Sequence, residues 1–149
     1  KVRGSEAMGE MILPVDVTQP VVMLAGGIGI TPFHAMIEQV VTMNTGHQVT
    51  VFSSNRHLAD APFHETLLRW SAQHPNISYV PTLTDEPPAD WKGERGYITA
   101  EMVRRHVSDL AKPLFCLAGP QAMTKAMRDL LAELGISPVN MRQEEFSGY

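Results

Sequence analysis

Six consecutive residues, Val21 to Gly26, carry no polar side chain and run directly into Gly27-Ile28-Gly29-Ile30-Thr31-Pro32. A strand that is apolar on both faces has to be covered on both faces, which favours an interior place in a parallel sheet with helices above and below it. Residues 32–43 supply the first of those helices. They are apolar at Phe33, Met36, Ile37, Val40 and Val41, one helical stripe, and Pro32 suits a first helical turn.

The same alternation continues along the chain. Residues 48–53, 77–83, 113–118 and 139–146 read as further strands, the third of the five weakened by Pro81. Pro62 opens a helix carrying Phe63, Leu67, Leu68 and Trp70 that ends before Pro75, and Thr99 is an N-cap candidate for a short helix over 99–107. A last helix runs from Gly119-Pro120 to about Leu134, with Gly135 as its terminating glycine. The stretch Thr84–Gly96, with two adjacent prolines, reads as a loop. This order predicts an α/β fold, a doubly wound parallel five-stranded sheet.

Composition narrows the partners. A formal charge of −4 provides no net positive field for nucleic acid or an anionic membrane surface. No apolar run approaches the roughly 20 residues of a membrane span, and the N-terminus carries no signal-peptide pattern. One cysteine, Cys116, excludes an intrachain disulfide, and together these features favour a cytoplasmic location. The histidines at 34, 47, 57, 64, 74 and 106 show no metal-ligand spacing, so no metal site is expected.

Three elements carry chemistry. The first is the turn Ala25-Gly26-Gly27-Ile28-Gly29-Ile30-Thr31-Pro32 between strand and helix, where glycines allow a phosphate to approach the backbone and the helix N-terminus offers free N–H groups. Pro32 stands where the dehydrogenase fingerprint has its third glycine, and the bland alternative is a plain connector. The second is Leu117-Ala118-Gly119-Pro120, another strand-to-helix turn, which a doubly wound sheet can set facing the first. The third is Ser53-Ser54-Asn55-Arg56 after the second strand, the region that meets an adenosine ribose. With no acid before Asp60, Arg56 leans towards a 2′-phosphate and thus NADPH; an exposed loop arginine is the equal alternative.

In this order the AGGIGITP turn, the AGP turn followed by Met123, and Glu144-Glu145-Phe146 resemble the ferredoxin–NADP reductase superfamily over residues 9 to 149. The resemblance implies the NAD(P)-binding half of a flavin-dependent oxidoreductase, taking NADP or NAD and passing hydride to FAD or FMN. Residues 1–17 would be the tail of a preceding flavin-binding domain and its linker, Gly9 to Pro14 closing that domain, and residues 18–149 the NAD(P)-binding domain. The family's Arg-x-Tyr-Ser flavin signature is not in this sequence and is expected upstream. An electron acceptor, protein or small molecule, completes the implied partners.

The resemblance also assigns roles. The turn Gly26, Gly27, Gly29, Ile30, Thr31 and Pro32 would receive the pyrophosphate, with Thr31 near the nicotinamide and flavin rings. Ser53, Asn55 and Arg56 would meet the adenosine ribose, and Gly119, Pro120 and Met123 the nicotinamide side. Glu144 and Phe146 would approach the flavin, with Tyr149 as an alternative shielding aromatic. Against these stand a solvated edge charge for Glu144 and ordinary packing for Phe146 and Tyr149. Many members carry Cys where this chain has Ala118, and Cys116 reads as a core thiol. That substitution leaves a second function open, a non-catalytic module that senses NAD(P)H.

Overall fold

A computed structural model of the chain describes residues 11–146. The apolar run becomes β1 (Val21–Gly26), buried at every position. It pairs with β2 (Val49–Asn55) on one side and β5 (Leu114–Pro120) on the other. With β3 (Ile77–Leu83), β4 (Glu94–Arg95) and β6 (Met141–Phe146), the sheet order is β4-β3-β2-β1-β5-β6 and each pairing is parallel. The chain winds outward from β1 through β4, then crosses back to β5, so strand order reverses between β1 and β5. Ligands of open α/β sheets bind at the C-terminal ends of the strands at such a reversal.

The sheet has six strands rather than five. The additional one, β4, lies within the stretch read as a loop and pairs only with Thr82 and Leu83. Two residues give no alternation to read. Side chains hold the segment instead: Thr82 Oγ1 donates to the Gly96 carbonyl at 2.5 Å, and Trp91 Nε1 to the Glu94 carbonyl at 2.8 Å. Pro81 is compatible with β3 because its carbonyl faces Gly93 on the outer side, where β2 does not require the missing N–H.

Helices cover both faces. Helices α1 (Ile30–Met43) and α2 (His64–Gln73) bury Phe33, Ile37, Leu67 and Trp70 against Val21, Met23, Val51 and Cys116. Helices α3 (Ala100–His106) and α4 (Gln121–Glu133) bury Met102, Val103, Met127 and Leu131 against Val22, Leu24, Phe52 and Leu117. Alternate residues of each strand thus feed two cores, and each fully buried Leu or Phe contributes about 1.5–3 kcal/mol. Local signals hold at the helix ends. Thr99 accepts from Met102 N at 3.1 Å, and Gly135 has φ 84° where Ile136 N closes on the Leu131 carbonyl at 3.0 Å.

The segment before β1 is tied to the α1 side. Met11 and Leu13 pack on that core, and buried His47 donates from Nε2 to the Pro14 carbonyl at 2.8 Å while its Nδ1 accepts from Thr45 Oγ1 at 2.7 Å. No group of His, Cys, Asp and Glu among the described residues is arranged to hold a metal, and no helix among them is long and apolar enough to cross a membrane.

Two groups away from the glycine turns give solution predictions. Burial pushes the Cys116 thiol up to about 12, so it is inert in the folded chain. A disulfide reagent is expected to label it at the rate of unfolding and rapidly in denaturant; fast labelling of the native protein would contradict its placement. Glu94 accepts from His106 Nε2 at 2.7 Å and Arg105 Nη2 at 2.6 Å, and these bonds, His106 first, hold its carboxyl below the usual range. A carboxyl lowered on folding adds stability that is complete above its unfolded value and is lost as pH falls through the folded value. Glu94→Gln is therefore expected to flatten the acid limb of stability against pH, and an unchanged limb would contradict the pairing.

Candidate functional site

At the reversal between β1 and β5 two glycine turns meet. Gly27 takes φ 57°, a left-handed conformation natural to glycine, and begins a tight turn over Gly27–Gly29 that delivers the chain into α1. Gly29 is demanded by space. A Cβ there would drive into the Ala118 carbonyl and come 2.9 Å from Gly119 Cα. Gly119 in turn faces Gly26, whose backbone N would be 3.3 Å from a Cβ at 119. The turns therefore approach backbone to backbone.

Both turns end in helix N-termini. Neither α1 nor α4 has a side-chain cap or an acidic residue in its first turn. Ile30 N–H closes on the Gly27 carbonyl of the preceding turn, no side chain caps either helix, and the two dipoles bring partial positive charge to one place. That arrangement suits a pyrophosphate.

Beside the turns, on the α3–α4 side, lies an open cleft of about 650 Å3. Gly26, Gly27, Ile28, Pro120 and Met123 form one wall; Ser54, Asn55, Arg56 and Asp60 follow from the end of β2, and Thr84, Asp85 and Tyr97 complete it. Ser54 is 2% exposed, and its hydroxyl has no hydrogen-bond partner among the described residues. A buried, unpaired hydroxyl on a cleft wall is costly unless a ligand satisfies it.

The site residues read from the sequence fall into groups. Gly26, Gly27, Asn55, Arg56, Pro120 and Met123 line the cleft. Gly29 and Gly119 lie behind it and set the approach of the turns. Ile30 is fully buried in the α1-side core, so only its backbone faces the turn, while Thr31 is exposed and Pro32 half-buried in the first turn of α1.

Ser53 lies away from the cleft. It accepts from Asn55 Nδ2 at 3.0 Å and bonds Tyr79, which burial pushes up to about 12 and whose hydroxyl pairs with His64 Nδ1 at 2.8 Å. Because successive side chains of a strand point to opposite faces, the neighbouring Ser54 is the serine that reaches the cleft. Asp60, Thr84, Asp85 and Tyr97 line the cleft from outside the three motifs, and Ser54 and Ile28 line it from within them without an assigned contact. Asp85 and Tyr97 lie far along the chain from Arg56, and the unpaired Ser54 hydroxyl shows only once strand faces are known.

Glu144 and Phe146 stand on the last strand. The β5–β6 register sets Glu144 beside Ala118 and Phe146 beside Pro120, and Phe146 packs on the α1-side core. They lie at the same end of the sheet as the glycine turns but outside the cleft lining. Their neighbour Glu145 points the other way, within 3.5 Å of Thr124 Oγ1 on α4. Tyr149 lies outside the described residues.

A family profile described as "Oxidoreductase NAD-binding domain" matches residues 23–129, from β1 into α4. The chain belongs to this family. Relatives of this NAD-binding domain include NADH-cytochrome b5 reductase 1 of Neosartorya fischeri, 31% identical over 97% of the chain and 49% of that protein. Another is the toluate 1,2-dioxygenase electron transfer component of Pseudomonas putida, 26% identical over 89% of the chain and 38% of that protein. The chain thus spans about half or less of the length of these relatives.

Solved structures place the domain in the same fold. A cytochrome P450 reductase of Amycolatopsis matches with a TM-score of 0.78 and 25% identity over 93% of the chain and 41% of that protein. A flavohemoglobin of Malassezia yamatoensis with bound FAD and heme matches with a TM-score of 0.78 and 26% identity over 96% of the chain and 34% of that protein. The NAD-binding domain is therefore of the ferredoxin–NADP reductase superfamily, as the motifs imply.

Proposed function

We propose that this domain holds NADH or NADPH across the β1–β5 reversal so that its hydride passes to a flavin, FAD or FMN, carried by a preceding domain, from which electrons go on to an acceptor. The observation that carries the proposal is the meeting of two uncapped helix N-termini over two glycine turns, beside a cleft with an unsatisfied buried hydroxyl. The names of the relatives, an NADH-cytochrome b5 reductase and the electron transfer component of a dioxygenase, support it.

In this reading the first-turn N–H groups of α1 and α4 bind the pyrophosphate, and Gly26, Gly27, Pro120 and Met123 form the wall against which the dinucleotide lies. Ser54 takes the polar contact that the sequence assigns to Ser53. Thr31, Glu144 and Phe146 border the place where nicotinamide and flavin meet; exposed Thr31 and half-buried Phe146 leave a surface there for the flavin domain to cover. The bound flavin supplies the hydride-accepting chemistry. The protein's share is positioning and exclusion of water, since hydride transfer between two rings needs no protein acid or base.

The proposal takes residues 1–17 as the tail of a flavin-binding domain and the linker from it, and sets the protein in the cytoplasm, a setting supported by its single, buried, free cysteine. The complete protein is expected to reduce ferricyanide with NADH or NADPH. Binding of nucleotide without any reduction would favour the sensing module instead, a reading that Ala118 at the end of β5 permits.

A further inference from the structure

We infer that Tyr79 and His64, neither of which lines the cleft, are positioning residues for the nucleotide: through Ser53 they set the Asn55 amide so that its carbonyl Oδ1, and not its NH2, is presented to the ligand. The inference rests on the nucleotide-binding reading above and concerns how one contact of that site is held.

The strands bring these side chains together. In the β2–β3 register Ser53 stands opposite Pro81 and Val51 opposite Tyr79, so Tyr79 is the diagonal neighbour of Ser53 on the α1 side of the sheet. Helix α2 begins at His64, whose Nδ1 lies 2.8 Å from the Tyr79 hydroxyl. That hydroxyl also bonds the Ser53 side chain, and Ser53 Oγ accepts from Asn55 Nδ2 at 3.0 Å. Asn55 is the last residue of β2 and lines the cleft, and its Oδ1 accepts from no described side chain or backbone group. A chain of hydrogen bonds therefore runs from an outer groove, lined by His64, Tyr79 and Trp91, to the nucleotide cleft.

Each link fixes the sense of the next. Burial lowers the His64 pKa and pushes Tyr79 up to about 12, so near neutral pH the imidazole is uncharged and the phenol keeps its proton. With its ring proton on Nε2, His64 can only accept at Nδ1, and the Tyr79 proton points to it. The Tyr79 oxygen then takes the Ser53 proton, which leaves Ser53 Oγ as an acceptor for the Asn55 NH2. Protonation of His64 reverses the order. Nδ1–H donates to Tyr79, Tyr79 to Ser53 and Ser53 to Asn55, whose amide has to turn over and bring its NH2 to the cleft. A nucleotide that donates a ribose hydroxyl to Oδ1 selects the first arrangement. The charged groups around His64 are Glu65 on α2 and Asp90, Lys92, Glu94 and His106 on the groove wall, and His106 is bonded to Glu94, not to this chain.

The test is the titration of His64 in the complete flavoprotein, read by NMR of the imidazole nitrogens with and without saturating NAD+ or NADP+. Near neutral pH the ring proton is expected on Nε2. Affinity is expected to fall about fivefold as the ring protonates, the worth of one net hydrogen bond. By reciprocity the bound nucleotide should lower the His64 pKa by roughly 0.7 of a pH unit. The negative charge of the nucleotide acting through space would raise it, so the sign separates the two causes. Tyr79→Phe is expected to abolish the response and weaken binding about fivefold near neutral pH. His64→Gln, which keeps an acceptor for the Tyr79 hydroxyl, should bind as the parent does at neutral pH and lose the fall in acid. The unaltered protein decides the question even where Tyr79→Phe does not fold. A His64 pKa that rises or stays fixed on binding, a neutral ring protonated on Nδ1, or a folded Tyr79→Phe variant that keeps the response would overturn the inference while leaving nucleotide binding standing. Binding of neither nucleotide would overturn the nucleotide reading and the inference together.

Discussion

Replacing Gly29 by alanine is expected to destabilise the domain by about 3 kcal/mol or more, the range of severe overpacking against backbone. The added methyl meets the Ala118 carbonyl and Gly119 Cα, neither of which can swing aside as a side chain would. Relief requires the Gly27–Gly29 turn to lift away from the end of β5. Nucleotide affinity should fall with stability, since the turns that move are those proposed to lie beneath the pyrophosphate. Equilibrium urea unfolding checks the first effect. Gly26→Ala provides the contrast: the three atoms nearest its Cβ all belong to the flexible Met123 side chain, so its stability cost should be clearly smaller. Equal costs would show that the close turn-to-turn approach is not what Gly29 serves.

Ile28→Glu is expected to separate folding from binding. Ile28 is 51% exposed at the tip of the first glycine turn and lines the cleft just ahead of α1. A carboxylate before an uncapped helix N-terminus stabilises by about 0.3–1 kcal/mol through the dipole, so the melting temperature should hold or rise slightly. The same charge would sit against a pyrophosphate, and repulsion at about 5 Å in a partly solvated site should weaken nucleotide binding by roughly 100-fold. Opposite signs are the signature. A variant that binds as well as the parent would remove the glycine turn from the pyrophosphate site, and one that unfolds would show Ile28 to be a packing residue despite its exposure.

Much of the fold is legible in the sequence because the signals are local. The buried β1 shows as an unbroken apolar run, Thr99 as a cap and Gly135 as a terminator, each decided by residues within a few positions. The pairing of the two glycine turns also follows, because doubly wound topology places the strand ends together. Three features are not legible, for different physical reasons. β4 has two residues and is held by Thr82, Trp91 and Gly96, not by an apolar pattern. The choice between Ser53 and Ser54 depends on which sheet face the cleft occupies, and two adjacent serines look alike until that is known. Asp85 becomes a neighbour of Arg56 only through the β2–β3 pairing, a contact between segments far apart in the chain.

The titratable groups pushed furthest, Tyr79 and Cys116, are moved by burial within the cores and do not line the cleft. Under the proposed function, hydride transfer asks for no tuned acid or base, and the cleft offers glycine turns and a hydroxyl.

The most direct test of the central claim is anaerobic single-turnover mixing of the complete protein with stoichiometric NADH, followed at the flavin absorbance. Rapid bleaching of the flavin with matching loss of NADH absorbance, slowed at limiting nucleotide by Ile28→Glu, is the predicted result. A flavin that stays oxidised while NADH is bound would contradict hydride transfer through this cleft.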